Sequence, residues 1–339
     1  MTAPAVHMLW EDKDPLEVLV TKFGFADARA AEAWVTATLA ETYEIAVERC
    51  DRIVLSSHNT LAWVTTTEGP MLAKWSVAEG YFPRLTALAE LTAELGARGL
   101  PVSMQVPARD GRLQVEIAGV SMGLQRTVAG GLLEVEDASQ VRAAGATLAR
   151  MHEALSSYGP LEGVEPFRQT LREQLTGWLS IAPDHLPADA LDRLRALLSA
   201  AHPDLPPMQL VHGDYRSANI LYDAGRVTTV LDFEEARIDH CIGELARSAV
   251  LLGTRYHNWG PVTPDVRATL RAGYESQHPL TPAEASWWEP LVLWYSLLLV
   301  PAGDDPTGWA AAAAATVTSQ TGQPSASRSV TDTSIGKSS

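Results

Sequence analysis

The sequence is poor in the features that mark secreted or membrane proteins. It has two cysteines, Cys50 and Cys241, far apart and in no C-x-x-C or zinc-type pattern, so the simplest reading is two free thiols in a reducing compartment. Met1 to Glu17 contains Glu11-Asp12-Lys13-Asp14-Pro15 and no long apolar core, which argues against a signal peptide. The longest apolar run, Leu291 to Ala302, is too short to span a bilayer and is interrupted by Ser296. No internal repeat is evident, and no G-x-G-x-x-G is present. Basic residues are scarce: 26 Lys and Arg against 41 Asp and Glu give a formal net charge of -15, whereas nucleic-acid backbones need cationic surfaces. These absences predict a cytoplasmic protein with neither nucleic acid nor membrane as partner, and leave the oligomeric state open. An acidic surface suits a cationic small molecule, but many soluble proteins are acidic simply to stay dispersed.

What the chain does carry is concentrated in one block. Leu210-Val211-His212-Gly213-Asp214 is followed by Asn219, and Val230-Leu231-Asp232-Phe233-Glu234 comes shortly after. Ile220 to Tyr222 reads as a short strand, Asp223 to Arg226 as a turn and Val227 to Leu231 as a β-branched return strand. A hairpin centred near Gly225 sets its strand ends nearly opposite each other, which brings Asn219 and Asp232 within reach of one cation. Magnesium takes oxygen ligands, often only one or two of them from protein, and Asn219 with Asp232 fit that set. Asp214 lies on an aperiodic, Gly-containing segment that can aim a carboxylate at a hydroxyl, as base or orienting group. Asp, Asn and Gly are also ordinary turn residues, so the combination rather than any single residue carries the reading.

An apolar strand, His-Gly-Asp, four residues, Asn, a hairpin and apolar-Asp-Phe closely resembles the core of the aminoglycoside phosphotransferase and choline kinase family, a branch of the protein-kinase-like fold. Glu234 stands where protein kinases have Gly, as is usual in the small-molecule branch. The resemblance implies an α+β, two-lobe protein-kinase-like fold, with a small antiparallel β-sheet N-lobe and a mostly helical C-lobe. It implies ATP and magnesium as cofactors and a small-molecule hydroxyl as acceptor. Asp214 would then be the catalytic carboxylate, and Asn219 with Asp232 the magnesium ligands. His212 would brace the loop, and Glu244, before Leu245-Ala246, would support it from a helix at a position where the family more often has Asp.

Such a fold requires a nucleotide lobe upstream. Arg52 to Leu55, Leu61 to Thr66 and Met71 to Trp75 read as three strands joined by polar turns at Ser56 to Thr60 and Glu68 to Pro70. In the family the first turn covers the ATP phosphates, which points to Ser57 and Asn59. Alternation places Lys74 with Leu72 on one face and Met71, Ala73 and Trp75 on the other, either of which could be the buried one. A lysine in an apolar strand needs a charged partner, and ATP phosphates supply one in this fold. Arg84 to Arg98 reads as a helix with Leu85, Leu88, Leu91 and Leu95 in register. From it Glu90, sixteen residues beyond Lys74, is expected to pair with the lysine, with Glu79 and Glu94 as competitors. Strands at Leu113 to Ile117 and Gly123 to Val128 should lead into a hinge whose backbone, at Thr127 and Val128, meets the adenine edge.

Helices are expected around Gln140 to Ala154, Phe167 to Leu179, Ala188 to Ala201 and Gly243 to Leu252. The expected organisation is an N-terminal helical extension (1–44), the nucleotide lobe (45–127), the helical catalytic and acceptor-binding lobe (128–309) and a disordered Ser/Thr-rich tail (310–339), with at most a short helix at its alanines. For the acceptor, Glu234, Glu235, Asp239 and Trp259 suggest a cationic or aminated molecule, an aminoglycoside or amino sugar first. A choline- or homoserine-type acceptor and a Ser/Thr of a peptide precursor are alternatives. An ATP-binding pseudokinase scaffold is the reading from another class, and the retention of Lys74, Asp214, Asn219 and Asp232 together speaks against it.

Overall fold

The alternation along Met71-Leu72-Ala73-Lys74-Trp75 decides the architecture of the first lobe. In the computed structural model, which describes residues 3–159, 161–164, 169–205 and 207–318, Met71, Ala73 and Trp75 are buried, while Leu72 and Lys74 stay partly open. The first face lies under helices and the second faces the cleft between two lobes. Six strands form the sheet: β1 (Ala5–Met8), β2 (Val47–Leu55), β3 (Asn59–Thr66), β4 (Gly69–Ser76), β5 (Gln114–Ile117) and β6 (Val120–Arg126), in the order β1-β2-β3-β4-β6-β5. The β2-β3-β4 meander is antiparallel and sets Leu61 opposite Lys74.

The covering helices are α1 (Pro15–Thr21) and α2 (Ala28–Tyr43), started by the side-chain caps Asp14 and Asp27. Leu19, Val35 and Leu39 from these helices share one apolar core with Met71, Ala73 and Trp75. The segment expected to be an all-helical extension therefore opens with a strand. β1 runs parallel to β2, with Ala5 opposite Arg52 and Met8 opposite Leu55. Four residues without a flanking turn give too short an alternation to be read from sequence, and the pairing comes from far along the chain. Helix α3 (Phe82–Ala97) packs against the cleft side of the sheet.

The second lobe contains β7 (Gly131–Leu132), α4 (Ala138–Leu155), α5 (Leu171–Ser180), α6 (Ala188–Ala200), β8 (Gln209–Val211), β9 (Ile220–Asp223), β10 (Arg226–Val230), β11 (Arg237–Asp239), α7 (Cys241–Leu251), α8 (Pro264–Glu275), α9 (Pro282–Leu298) and α10 (Trp309–Thr318). Helix α5 starts later than the expected Phe167, behind a Thr170/Glu173 capping box, and residues 165–168 lie outside the described ones. Helix α10 takes up the start of the segment expected to be a disordered tail. Trp309 and Ala313 are buried against the helical core, and the remainder of that expectation, from 319 on, lies outside the described residues.

Helices α4 and α8 touch through glycines. A Cβ on Gly145 would come within 2.0 Å of Leu270 O, and one on Gly273 within 2.2 Å of Arg142 O, so only glycine permits this approach. The hairpin β9-β10 turns at Ala224 and Gly225, both in left-handed conformation. Cys50 and Cys241 are both free thiols. Among the described residues no helix is long and apolar enough to cross a membrane.

Candidate active site

The loop after β8 is built around buried Glu244, from the first turn of α7. Glu244 Oε2 accepts from His212 N at 3.1 Å and from His152 Nε2 at 2.7 Å, and Oε1 accepts from Gly213 N. Burial pushes this carboxyl upward, but the hydrogen bond and charge of His152 outweigh it and bring it down to about 2. His152, equally buried, is held well above its ordinary range against its own desolvation, by the groups around it that include Cys241, Tyr274 and Glu244. Its Nδ1 lies 2.8 Å from Tyr274 Oη. Gly213 adopts φ +88°, and a Cβ there would meet Glu235 O at 1.9 Å, so this position needs glycine twice over. His212 is a brace: its Nε2 donates to Leu231 O at 2.8 Å and its Nδ1 accepts from Asp214 N at 3.1 Å. Those bonds define the neutral Nε2-H tautomer.

The loop so fixed presents Asp214. Asn219 Nδ2 donates to both Asp214 O and Asp214 Oδ2, at 2.9 Å each, which turns its own carbonyl oxygen away from those bonds. Leu231 N donates to Asn219 O at 2.8 Å, so Asp232, the next residue, is delivered beside Asn219 as the hairpin predicts. Asp232 has φ 60° and ψ 75°, a left-handed backbone that costs a non-glycine residue about 1 to 3 kcal/mol and reaims its carboxylate into the cleft.

Across the cleft, Lys74 Nζ sits 3.0 Å from Asp232 Oδ1 and 2.7 Å from Glu234 Oε1. Desolvation pulls the ammonium down, and the two carboxylates more than reverse this and raise it. Asp232 is lowered in turn, because Lys74 outweighs its burial. Asn59 Nδ2 donates to Glu234 Oε2 at 2.8 Å, so the β2-β3 turn also closes onto this cluster. Tyr256 lines the same cleft.

Several expected residues lie elsewhere. Glu90 is exposed, as are Glu79 and Glu94. The cleft face of α3 is Leu85, Leu88, Ala89 and Thr92, and Glu90 is turned about 100° past Ala89, so the partner of Lys74 is Glu234. Helix α3 contributes Arg84 instead, which donates to Glu234 O at 2.6 Å and Ala236 O at 2.6 Å. Ser57 is exposed and donates to Glu11 Oε1 at 2.9 Å. The Thr127 amide is committed to Pro70 O at 3.0 Å, and Val128 follows on the exposed hinge.

On the acceptor side, Asp239 is buried and its Oδ2 accepts from Arg237 Nε at 3.1 Å. Glu235 is exposed, and Glu234 belongs to Lys74. What flanks Asp214 is basic. Arg216 Nε reaches its two oxygens at 3.1 and 2.9 Å, and Arg247 Nη1 lies 3.7 Å from Oδ1. Trp259 is exposed, with the Arg216 guanidinium 5.3 Å from its ring.

Sequence reasoning missed Arg216, Arg247 and Arg84. The first two had a signal in their positions, two residues after Asp214 and directly after Leu245-Ala246. For Lys74 the strongest signal went unused: it is the only lysine between Lys22 and Lys337.

The sequence profile of the phosphotransferase enzyme family matches residues 52–288, a span that contains Lys74, the Glu244-braced loop and the hairpin. The chain belongs to that phosphotransferase family. As such it is a kinase that uses a hydroxyl as acceptor. The phosphotransferase is 26% identical over 237 residues to a homoserine kinase of Neisseria meningitidis serogroup B, covering 68% of this chain and 74% of that one. It is 25% identical over 205 residues to a homoserine kinase of Rhizobium johnstonii, covering 58% and 61%. Among solved structures, an amicoumacin kinase in complex with AMP-PNP, Ca2+ and Ami superposes with a TM-score of 0.58 at 17% identity, over 86% of this chain and 93% of that one. A spectinomycin phosphotransferase in complex with ADP and spectinomycin gives 0.56 at 13%, over 84% and 97%. These likenesses establish the two-lobe kinase-like fold of the phosphotransferase.

Proposed function

We propose that the protein transfers the γ-phosphoryl group of ATP to the hydroxyl of a small acceptor that also carries a carboxylate. The observation that carries the reaction is the cluster in which Lys74 meets Asp232 and Glu234 across the cleft, with Asn219 beside it bonded to Asp214. Lys74 is turned into that cluster from the sheet lobe, and it would hold the ATP phosphates. Glu234 orients Lys74 in the place a helix glutamate would take, and Arg84 fixes the backbone that carries Glu234. The base would meet the hinge backbone at Val128. Asp214 would orient the acceptor hydroxyl and take its proton as the oxygen attacks phosphorus in line.

The residues present fit magnesium. Asn219 keeps a carbonyl oxygen free of its two bonds to Asp214, and Asp232 is aimed into the cleft by a strained backbone. A hard cation with one or two protein oxygens needs no larger carboxylate cluster. Bound there with the phosphates, it would supply charge neutralisation for the transferring group.

For the acceptor, Arg216 and Arg247 beside Asp214 support an anionic group near the reacting hydroxyl, because guanidinium groups recognise carboxylates. The homoserine kinase relatives are in line with this. The acidic residues expected to hold ammonium groups are engaged elsewhere or face solvent. An ADP-release screen in magnesium tests the reading. Homoserine and related hydroxy acids should give acceptor-dependent turnover. Turnover confined to aminoglycosides or choline would overturn the carboxylate assignment while leaving the phosphotransfer intact.

A further inference from the structure

In the helical lobe, α8, α9 and α10 enclose a groove of about 360 Å³, within the range of small-molecule sites. Arg267 at its base is 7% exposed, and its hydrogen bond is to Thr316 Oγ1 at 3.3 Å. No carboxylate lies in ion-pair range of it among the described residues. Burial draws this guanidinium down, and no charge opposes the shift. One turn along α8, Arg271 points into the same groove, with its guanidinium 5.2 Å from the Trp288 ring and paired to Glu275 at 2.9 Å. That pair is neutral, so the groove keeps the positive charge of Arg267. Ala268 and Val292 complete apolar walls beside the Trp288 indole.

A buried charge without a partner is destabilising, and a protein that keeps one in an open groove has a ready place for a counter-charge. We infer that this groove binds a small organic anion, a carboxylate or phosphate monoester with an apolar or aromatic body. The anionic end would sit on Arg267 and Thr316, and the body would lie along Trp288 and Val292. The site shares no residue with the cleft, so it does not depend on the acceptor reading.

Isothermal titration of the full chain with benzoate and phenyl phosphate, with the cleft saturated by magnesium ADP, tests this. Benzylamine serves as the cationic control. Expected is saturable one-site binding of both anions with Kd below ~1 mM, no binding of benzylamine, and at least a tenfold loss (~1.4 kcal/mol) in Arg267→Met. Trp288→Leu, which leaves the arginine in place, should weaken both anions several-fold. Without an added anion, Arg267→Met should melt no lower than the parent, since it removes an uncompensated charge. Absent binding, binding unchanged in Arg267→Met, or a large fall in Tm for that variant would each overturn the inference, the last by making Arg267 a brace for α10.

Discussion

At the residue scale, the loop that presents Asp214 is braced by a buried ion pair. Removing the charge of Glu244 leaves His152 buried and unpaired, a change expected to cost about 3 to 5 kcal/mol. Glu244→Gln should therefore unfold at markedly lower denaturant, and its activity should fall with the loss of loop order. The pH dependence has a definite sign. The Glu244 carboxyl is lowered from 4.5 to about 2, so its contribution is complete above 4.5 and is lost as pH falls toward 2. The contribution of His152, whose value is raised, is complete below 6.5 and is lost as pH rises through its shifted value. The stability gap between parent and variant, followed by denaturant melts across pH, should shrink at both ends; a gap flat from pH 2 to 5 would contradict the pairing. At Lys74 the expectation separates two glutamates: Glu234→Gln should raise KM for ATP about tenfold, near 1.4 kcal/mol, and Glu90→Gln should leave it within experimental error. Arg247→Met should raise the acceptor KM and spare the ATP KM. Asp214, Asn219 and Asp232 could be read from spacing, because a hairpin and a five-residue step are local geometry, and the bracing role of His212 came from the family resemblance. The Lys74 partner could not, because it depends on which side of α3 faces the sheet.

At the element scale, close approaches decide where elements sit. Gly145 and Gly273 let α4 and α8 meet backbone to backbone, and α4 carries His152 while α8 carries Tyr274, both bonded in the chain that ends on the loop presenting Asp214. Gly145→Ala should separate the helices, lower Tm by several degrees and reduce kcat with little change in nucleotide KM. An unchanged Tm would mean that the crossing is loose. The three-stranded meander and most helices were legible as alternation and helical stripes. The short strands β1, β7 and β11 were not, since two to four residues hold little periodicity and owe their conformation to partners distant in sequence.

At the scale of the whole molecule, the N-terminal segment and α10 are parts of the two lobes. The α1 and α2 helices cover Met71, Ala73 and Trp75, and each fully buried large side chain contributes about 1.5 to 3 kcal/mol. A chain lacking residues 1–44 should expose that face and be recovered as aggregate; a soluble, active product would show that the cover is dispensable. The composition pointed to a terminal tail from 310, because an alanine run has little apolar bulk, but Trp309 buries itself beside Trp259 and anchors α10. On the proposed reading both lobes are joined in one reaction, with Lys74 and the hairpin holding the donor and Asp214 acting on the acceptor. Acceptor-dependent ADP formation by folded Asp214→Asn tests it most directly. Loss of at least ~100-fold in kcat with ATP binding retained is the predicted result, and full turnover by a variant with the parent's melting temperature would contradict it.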